Sequence, residues 1–523
     1  MPAVVTDQFR IFNANNFVDS ILDSTNSYYV FLGLSNPIKE TNPGFGRTEL
    51  SKWPSDPVDN FQNLSHIKDT ILFGKKISTA NIRRVVKRNN WVANTRYDMY
   101  RHDYSIINKS PNSQQASLYE SKYYVVNSDL RVYVCIDNGS SGALGTDSAK
   151  GGNSLDEPTF TDTEPSAAGT SGDGYVWKYL FTISPSDIIK FDSTEFIALP
   201  NDWSTSTDTQ IQIIREAGDS RINNNQIKKV YIENSGSTST PSYQQGDHAL
   251  DILGDGTGGV VNVTVNSSGK ITKTIVTSGG TGYTYGIVDL EPIHVSSSIT
   301  LENRAKLVPI IPPSRGHGYD LYSELGADKI LIYTRFDDST PDFPTSTKFS
   351  QVGIIKNPTR FSDENSIFDG INFSSAFAMK LTGNPGTTPA VGTIISQGTA
   401  KAYVTSYNTQ TNVLKYSRDR SLFFGSDTPT NQTDYVGVSS GSKITEFTQG
   451  GGNVSPLGIG ISAFSGGTTV VNNKIVDLGI TFSNGLANPE INKQTGDIIY
   501  IDNRGLVTRD ARQKEDVKII LEF

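Results

Sequence analysis

GDGYVWKYLFTI, residues 172–183, decides how this chain is read. A glycine–aspartate–glycine turn runs directly into a strand-forming segment. Alternation places Tyr175, Trp177, Tyr179, Phe181 and Ile183 on one face and Val176, Lys178, Leu180 and Thr182 on the other. The first set predicts a core face, the second a half-covered face or an interface. A glycine loop that cradles phosphate needs a helix after it, whose N-terminus faces the anion. Here a strand follows, so the segment reads as a turn into a core strand. GDGTGG at 254–259 fails the same test, because the strand-like VVNVTV follows it.

The composition around that strand fits a β-rich protein. The chain has 523 residues, of which 36% are hydrophobic and 19% charged. Such a length predicts several domains. The remainder is rich in Ser, Thr, Asn and 47 Gly, with 23 Tyr and 24 Phe, a mixture that suits short strands joined by many turns. A net charge of −8 argues against nucleic-acid binding through bulk attraction. The N-terminus lacks the basic and apolar regions of a signal peptide, and no apolar run is long enough for a membrane helix. The expectation is a soluble protein made in a cytoplasm.

Strands are expected at 28–34, 83–88, 122–127 and 131–136, all β-branched or aromatic-rich and bounded by turn residues. Helices are expected at 13–24, with Phe17, Ile21 and Leu22 on one face, and at 58–73, with Phe61, Leu64, Ile67 and Ile71. A short helix at 319–326 should stop at Gly326. NSSG (266–269) reads as a hairpin loop, 400–418 as a further hairpin and 447–460 as a long glycine-rich loop. The closing DVKIILEF alternates Val517, Ile519, Leu521 and Phe523 onto one face, which predicts a C-terminus tied into a sheet.

Residues that carry chemistry are sparse. The single cysteine, Cys135, lies in a strand-like run and reads as a buried, inert thiol. The five histidines, His66, His102, His248, His294 and His317, show no metal-binding spacing. His317, in RGHGYD, is the most exposed-looking and is expected to bond within a loop. The carboxylate pairs Asp337/Asp338, Asp156/Glu157 and Asp187/Asp192 offer acid–base groups in principle, but loop acids are usually solvated. The basic stretch Lys75, Lys76, Arg83, Arg84, Lys87, Arg88 with Trp91 is expected to be a solvated strand face or a docking surface rather than a nucleic-acid patch. No cofactor, metal or catalytic residue is expected.

Four stretches in order carry a resemblance: NNWVANTRY (89–97), GDGYVWKYLF (172–181), FSQVGIIKNP (349–358) and GDIIYIDNR (496–504) followed by KIILEF (518–523). They resemble the baseplate wedge subunit called gene product eight of T-even-like contractile-tailed bacteriophages. The positions that match the family's pattern are Trp91, Arg96 and Tyr97; Asp173, Gly174, Tyr175, Val176 and Trp177; Gly353, Ile355, Asn357 and Pro358; and the terminal Phe523. The resemblance covers roughly residues 1–210, 328–360 and 495–523.

The resemblance implies a mainly β fold with a few helices (α+β), a multi-domain β-sandwich-like host carrying small inserted β modules. Residues 1–229, 316–374 and 481–523 would build the host, and 230–315 and 375–480 the two inserts. It also implies a non-enzymatic scaffold in the virion tail, assembled in the host cytoplasm. The expected partners are a second copy in a homodimer, other wedge subunits and proteins near the short tail fibres, with no nucleic acid, membrane or small-molecule substrate. Two other classes stay open from the residues: a receptor-binding or tail-fibre-type module contacting host sugars, and a polysaccharide-degrading enzyme.

Overall fold

The computed structural model describes residues 5–34, 57, 59, 61–219, 225–236, 243–295, 304–337, 347–418, 446–509 and 513–523. The backbone is mostly strand, with a few short helices. The chain divides into two compact units. One comprises Met1–Asn16, Arg83–Leu331 and Ile520–Phe523, the other Phe17–Ile82 and Ile332–Ile519.

In the first unit, a sheet orders its strands as Tyr124–Val126, Arg131–Asn138, Tyr175–Thr182 and Ser166–Ala167. Arg131–Asn138 and Tyr175–Thr182 are antiparallel, with Cys135 opposite Trp177 and irregularities between Val132 and Tyr133 and between Cys135 and Asp137. The core on this sheet is aromatic: Tyr97, Tyr123, Tyr133, Tyr175, Trp177, Tyr179 and Trp203 are all buried in it. Both faces of Tyr175–Thr182 are covered along most of its length. Lys178 and Leu180 are buried although the alternation puts them opposite the tryptophan.

A second sheet of this unit runs Ile271–Thr281, Thr257–Val265, Gly246–Gly254, Gly286–Val288. It has its own aliphatic core of Leu250, Ile252, Val261, Val263 and Ile271. The expected NSSG loop joins Thr257–Val265 to Ile271–Thr281. The Asn266 Oδ1 accepts from the backbone N–H groups of Ser268 and Lys270, both at 3.0 Å, which fixes the turn. GDGTGG is the tight connection between Gly246–Gly254 and Thr257–Val265, not the start of a helix.

In the second unit, one sheet orders Asn372–Ser374, Ile71–Lys76, Tyr28–Gly33, Lys348–Lys356 and Asp497–Thr508. Another orders Ile394–Gln397, Ala400–Asn408, Val413–Ser417, Phe377–Lys380 and Leu486–Ala487. The expected hairpin at 400–418 is the pair Ala400–Asn408 and Val413–Ser417. A two-stranded hairpin, Gly466–Val471 with Lys474–Phe482, belongs to neither sheet.

Several boundaries differ from expectation. The first helix spans Asp7–Leu22, beginning before residue 13, because the Thr6 hydroxyl accepts from the Phe9 N–H and caps it. Its first turns expose Phe9 and Phe12, so apolar periodicity could not mark them as helix. The second helix is Phe61–Thr70, and Ile71 opens a strand instead of continuing it. The run Ile71–Leu72–Phe73 is buried throughout, as a central strand requires; the Phe61 side chain lies outside the described residues. The third helix, Leu321–Leu325, stops at Gly326, whose φ of +70° is left-handed as expected. Two further helices lie outside the expected ones: Pro185–Lys190, capped by Ser184, and Thr209–Gly218, capped by Asp208, which turns Ile211 and Ile214 to the core.

Candidate functional site

The motif residues of the first unit converge. The rings of Tyr175 and Trp177 stack, with centroids 5.4 Å apart and planes at 14°. Tyr97 meets Trp177 edge-on at 5.8 Å and Tyr175 at 6.4 Å. The Tyr175 hydroxyl accepts from the Tyr97 N–H at 2.9 Å and donates to the Gly152 carbonyl, also at 2.9 Å. The Tyr97 hydroxyl in turn accepts from the Val92 N–H at 2.6 Å. Burial pushes both phenols upward in pKa, so they stay protonated.

Trp91 packs on the rim of this core, and its indole N–H donates to the Ser154 hydroxyl at 3.0 Å. Arg96 stands at the surface, 3.3 Å from Asp147 and 3.2 Å from the Asn153 side-chain oxygen. The 89–97 segment is thus pinned to Asn153 and Ser154 and to the Tyr175–Thr182 strand by bonds between groups far apart in sequence.

The GDG turn is explained by crowding. Asp173 accepts from the Tyr175 N–H at 3.0 Å and, through its other oxygen, from the Leu155 N–H at 2.8 Å. Gly174 has φ +86°, and a Cβ there would lie 3.0 Å from the Cα of Gly139. Gly139 is itself left-handed, at φ +72°. Two backbone segments pass at a glycine–glycine contact, which side chains would hold apart. Each oxygen of the aspartate thus accepts one backbone N–H that holds the turn.

Gly353, Asn357 and Pro358 lie in the second unit and do not join this cluster. A Cβ on Gly353 would meet the Phe31 ring at 2.4 Å and the Tyr500 carbonyl at 2.6 Å. Asn357 adopts φ +51°, and its side-chain oxygen accepts from the Ser27 N–H at 2.7 Å. Phe523 belongs to the first unit, where its N–H donates to the Asp328 carbonyl at 3.1 Å.

Two expectations about charge are corrected. The basic stretch is not a solvated face. Arg84 is buried and stacks over Tyr322 at 4.2 Å. Arg83 pairs with Asp187 at 2.9 Å and lies over Phe191, and Arg88 pairs with Asp192. The Lys75 ammonium donates to the Arg335 carbonyl at 2.9 Å. Asp187 and Asp192 are therefore partners of arginines, not a free carboxylate pair. Asp156 and Glu157 accept from the Ser171 and Ser128 N–H groups, and Asp338 lies outside the described residues. His317, the exposed-looking histidine, is buried, with Nδ1 2.7 Å from Glu324 and its ring edge-on to Tyr100 at 4.7 Å.

Cys135 is wholly buried, and burial pushes its thiol far up, which disfavours the thiolate. Among the described residues, no group of three or more His, Cys, Asp or Glu is placed to hold a metal. A cavity of about 740 Å³ in the first unit is lined by Arg10, Lys87, Tyr119, Glu195, Asp328 and Lys329 among others, a mixture of signs, and no motif residue reaches it.

The sequence reading missed Ile106 and Ile107, which are 82% and 97% exposed at the tip of a turn closed between Ser105 and Asn108. Its signal was two aliphatics between Asp103 and Asn108. Asp103 accepts two bonds from the buried Arg101, at 2.9 and 2.6 Å, and the Asn108 side chain closes the turn on the Asp103 carbonyl at 3.1 Å.

Residues 3–212 match the profile of the family described as Bacteriophage T4, Gp8. That span includes Trp91, Arg96, Tyr97, Asp173, Gly174, Tyr175 and Trp177; Gly353, Asn357, Pro358 and Phe523 lie beyond it. The chain is also 27% identical over 220 residues to baseplate wedge protein gp8 of Enterobacteria phage T4, an alignment that takes in 38% of this chain and 60% of that protein. The Tyr97–Tyr175–Trp177 cluster lies within residues 3–212, the part of the chain that is similar to the T4 gp8 family.

Proposed function

We propose that this chain is a structural, non-enzymatic subunit of the baseplate wedge in the contractile tail of a bacteriophage virion. In this reading it works as a homodimer, holds neighbouring wedge proteins together during assembly and infection, and sits near the short-tail-fibre proteins. The observation that carries the reading is the match of residues 3–212 to the gp8 family, with the aromatic cluster and its GDG turn inside the matched span. The motif residues then serve structural roles: Trp177, Tyr175 and Tyr97 as core, Asp173 and Gly174 as turn, Gly353 and Asn357 as points of close backbone approach, and Trp91, Arg96, Pro358 and Phe523 as ties of segment ends. Segments 230–315 and 375–480 are read as β modules inserted into the host fold. The sheet at 246–288, with its own aliphatic core, supports the first of these assignments.

The test is the mass of the purified full chain, alone and mixed with the other tail proteins of its phage. A dimer that enters a larger wedge complex is expected. A trimer that ignores those proteins and adheres to host cells would overturn the reading in favour of a receptor-binding module.

A further inference from the structure

The turn between Ser105 and Asn108 carries two isoleucines where turns ordinarily carry glycine, proline or small polar residues. Ser105 and Asn108 exchange both backbone hydrogen bonds, each at 3.0 Å, so Ile106 and Ile107 are the two residues of the tip. β-Branched aliphatics there favour neither the turn nor the core, and both stand almost wholly in water. Single apolar residues scattered over a surface are ordinary; two at one tip make a single apolar point.

That point has a rigid base. Arg101 is buried, lies 4.3 Å from the Tyr231 ring centroid and grips both carboxylate oxygens of Asp103. The His102 Nδ1 accepts from the Ile311 N–H, and the Tyr104 hydroxyl donates to the Met99 carbonyl, both at 3.1 Å. Each of the four residues 101–104 is therefore tied down just before the turn, and the Asn108 side chain ties the far side back to Asp103. Side chains carried on so fixed a backbone lose little freedom on entering a pocket.

We propose that Ile106 and Ile107 plug into an apolar socket, rimmed by carboxylates, on a different protein of the tail. The charge beside the tip selects this occupant. Arg101 neutralises Asp103, which leaves the exposed Lys109, two residues past Ile107, as the charge next to the apolar pair. A second copy docked tip to tip would set Lys109 against Lys109. A bilayer with anionic headgroups is disfavoured by the net charge of −8. A socket with an acidic rim meets the aliphatic pair and the ammonium at once. The inference rests on the wedge reading, and it adds which point of this chain makes the contact and what the partner's surface must offer.

Titration of the full chain with each of the other purified tail proteins of its phage tests it. The double substitution Ile106→Ser, Ile107→Ser removes the plug and keeps residue types that suit a turn. It is expected to weaken binding to one tail protein by about 30-fold. Lys109→Glu should weaken the same complex by about 5-fold at low salt, and by less as salt is raised. Both variants should keep the wild-type unfolding midpoint, since the three side chains are exposed. A lowered midpoint in the serine variant would make the pair part of the fold and overturn the inference. Full affinity of both variants for every tail protein that wild type binds would overturn it and leave the wedge reading standing, whereas a wild-type chain that binds none of them would overturn both. A loss confined to self-association, or to binding of phosphatidylglycerol-containing vesicles, would overturn it in favour of a second copy or a membrane.

Discussion

Tyr175 and Trp177 are stacked neighbours on one face of one strand, 5.4 Å apart at 14°, and Tyr97 closes on both edge-on. Residues two apart on a strand ordinarily stand side by side, and here the space between them is filled by aromatic contact. Trp177 is fully buried, so truncating it empties a large volume in a core that its strand shares with the 89–97 segment. We predict that Trp177→Ala costs about 3–5 kcal/mol, read as a drop in the denaturant midpoint of the full chain. An unchanged midpoint would show that the tryptophan does not hold this core.

Gly353→Ala adds a single methyl group where the strand has no room. The new Cβ would stand 2.4 Å from the Phe31 ring and 2.6 Å from the Tyr500 carbonyl. Phe31 is buried and cannot swing away, and a backbone oxygen is harder still to move. Overpacking of this kind costs about 1–3 kcal/mol. Thermal unfolding should show the loss, whereas Gly145→Ala, where nothing lies within 4 Å but φ is +94°, would show only backbone strain.

Much of this was legible in the sequence, and the reasons differ by element. The strand at 175–182 announced itself through period-2 aromatics, and the hairpins at 257–281 and 400–417 through their turn residues, because both signals are local. The GDG turn was legible as a turn, but its cause was not. That cause is a second glycine, Gly139, some thirty-five residues earlier in the chain. Charge was the poorest guide. Arg83 and Asp187 meet across about a hundred residues, and nothing local tells a paired, buried arginine from a solvated one. Lys178 was assigned to a half-covered face by alternation, and only the packing of both sides of the sheet reveals it as buried.

Lys178 gives the clearest dependence on pH. Its ammonium donates to the Thr163 carbonyl, and burial pushes its pKa from 10.5 down to about 8, with Glu164 and Glu324 opposing the shift and Lys228 adding to it. The folded chain therefore binds this proton less readily than the unfolded chain does. Between pH 8 and 10.5 the unfolded state holds the proton and the folded state does not, so this group's contribution to stability rises with pH across that window and is flat below it. The difference in unfolding free energy between wild type and Lys178→Met should shift in favour of wild type from pH 7.5 to pH 10. A difference independent of pH would mean that the lysine titrates normally and is reached by water.

Arg84 separates the structural reading of the basic stretch from a binding one. Its guanidinium lies 4.2 Å from the Tyr322 ring centroid, and its Nε donates to the Asn15 side-chain oxygen at 2.6 Å. A planar, delocalised cation can stack and donate sideways at once, whereas an ammonium on a flexible stem cannot. Arg84→Lys is therefore predicted to destabilise the fold nearly as much as Arg84→Ala. The loss should be about 1.5–3 kcal/mol from the charge-assisted hydrogen bond alone. Lys87→Ala, at an exposed position on the same strand, should leave stability within about 0.5 kcal/mol of wild type. If the stretch were instead a polyanion-binding face, both substitutions would weaken retention on a heparin column and neither would move the unfolding midpoint.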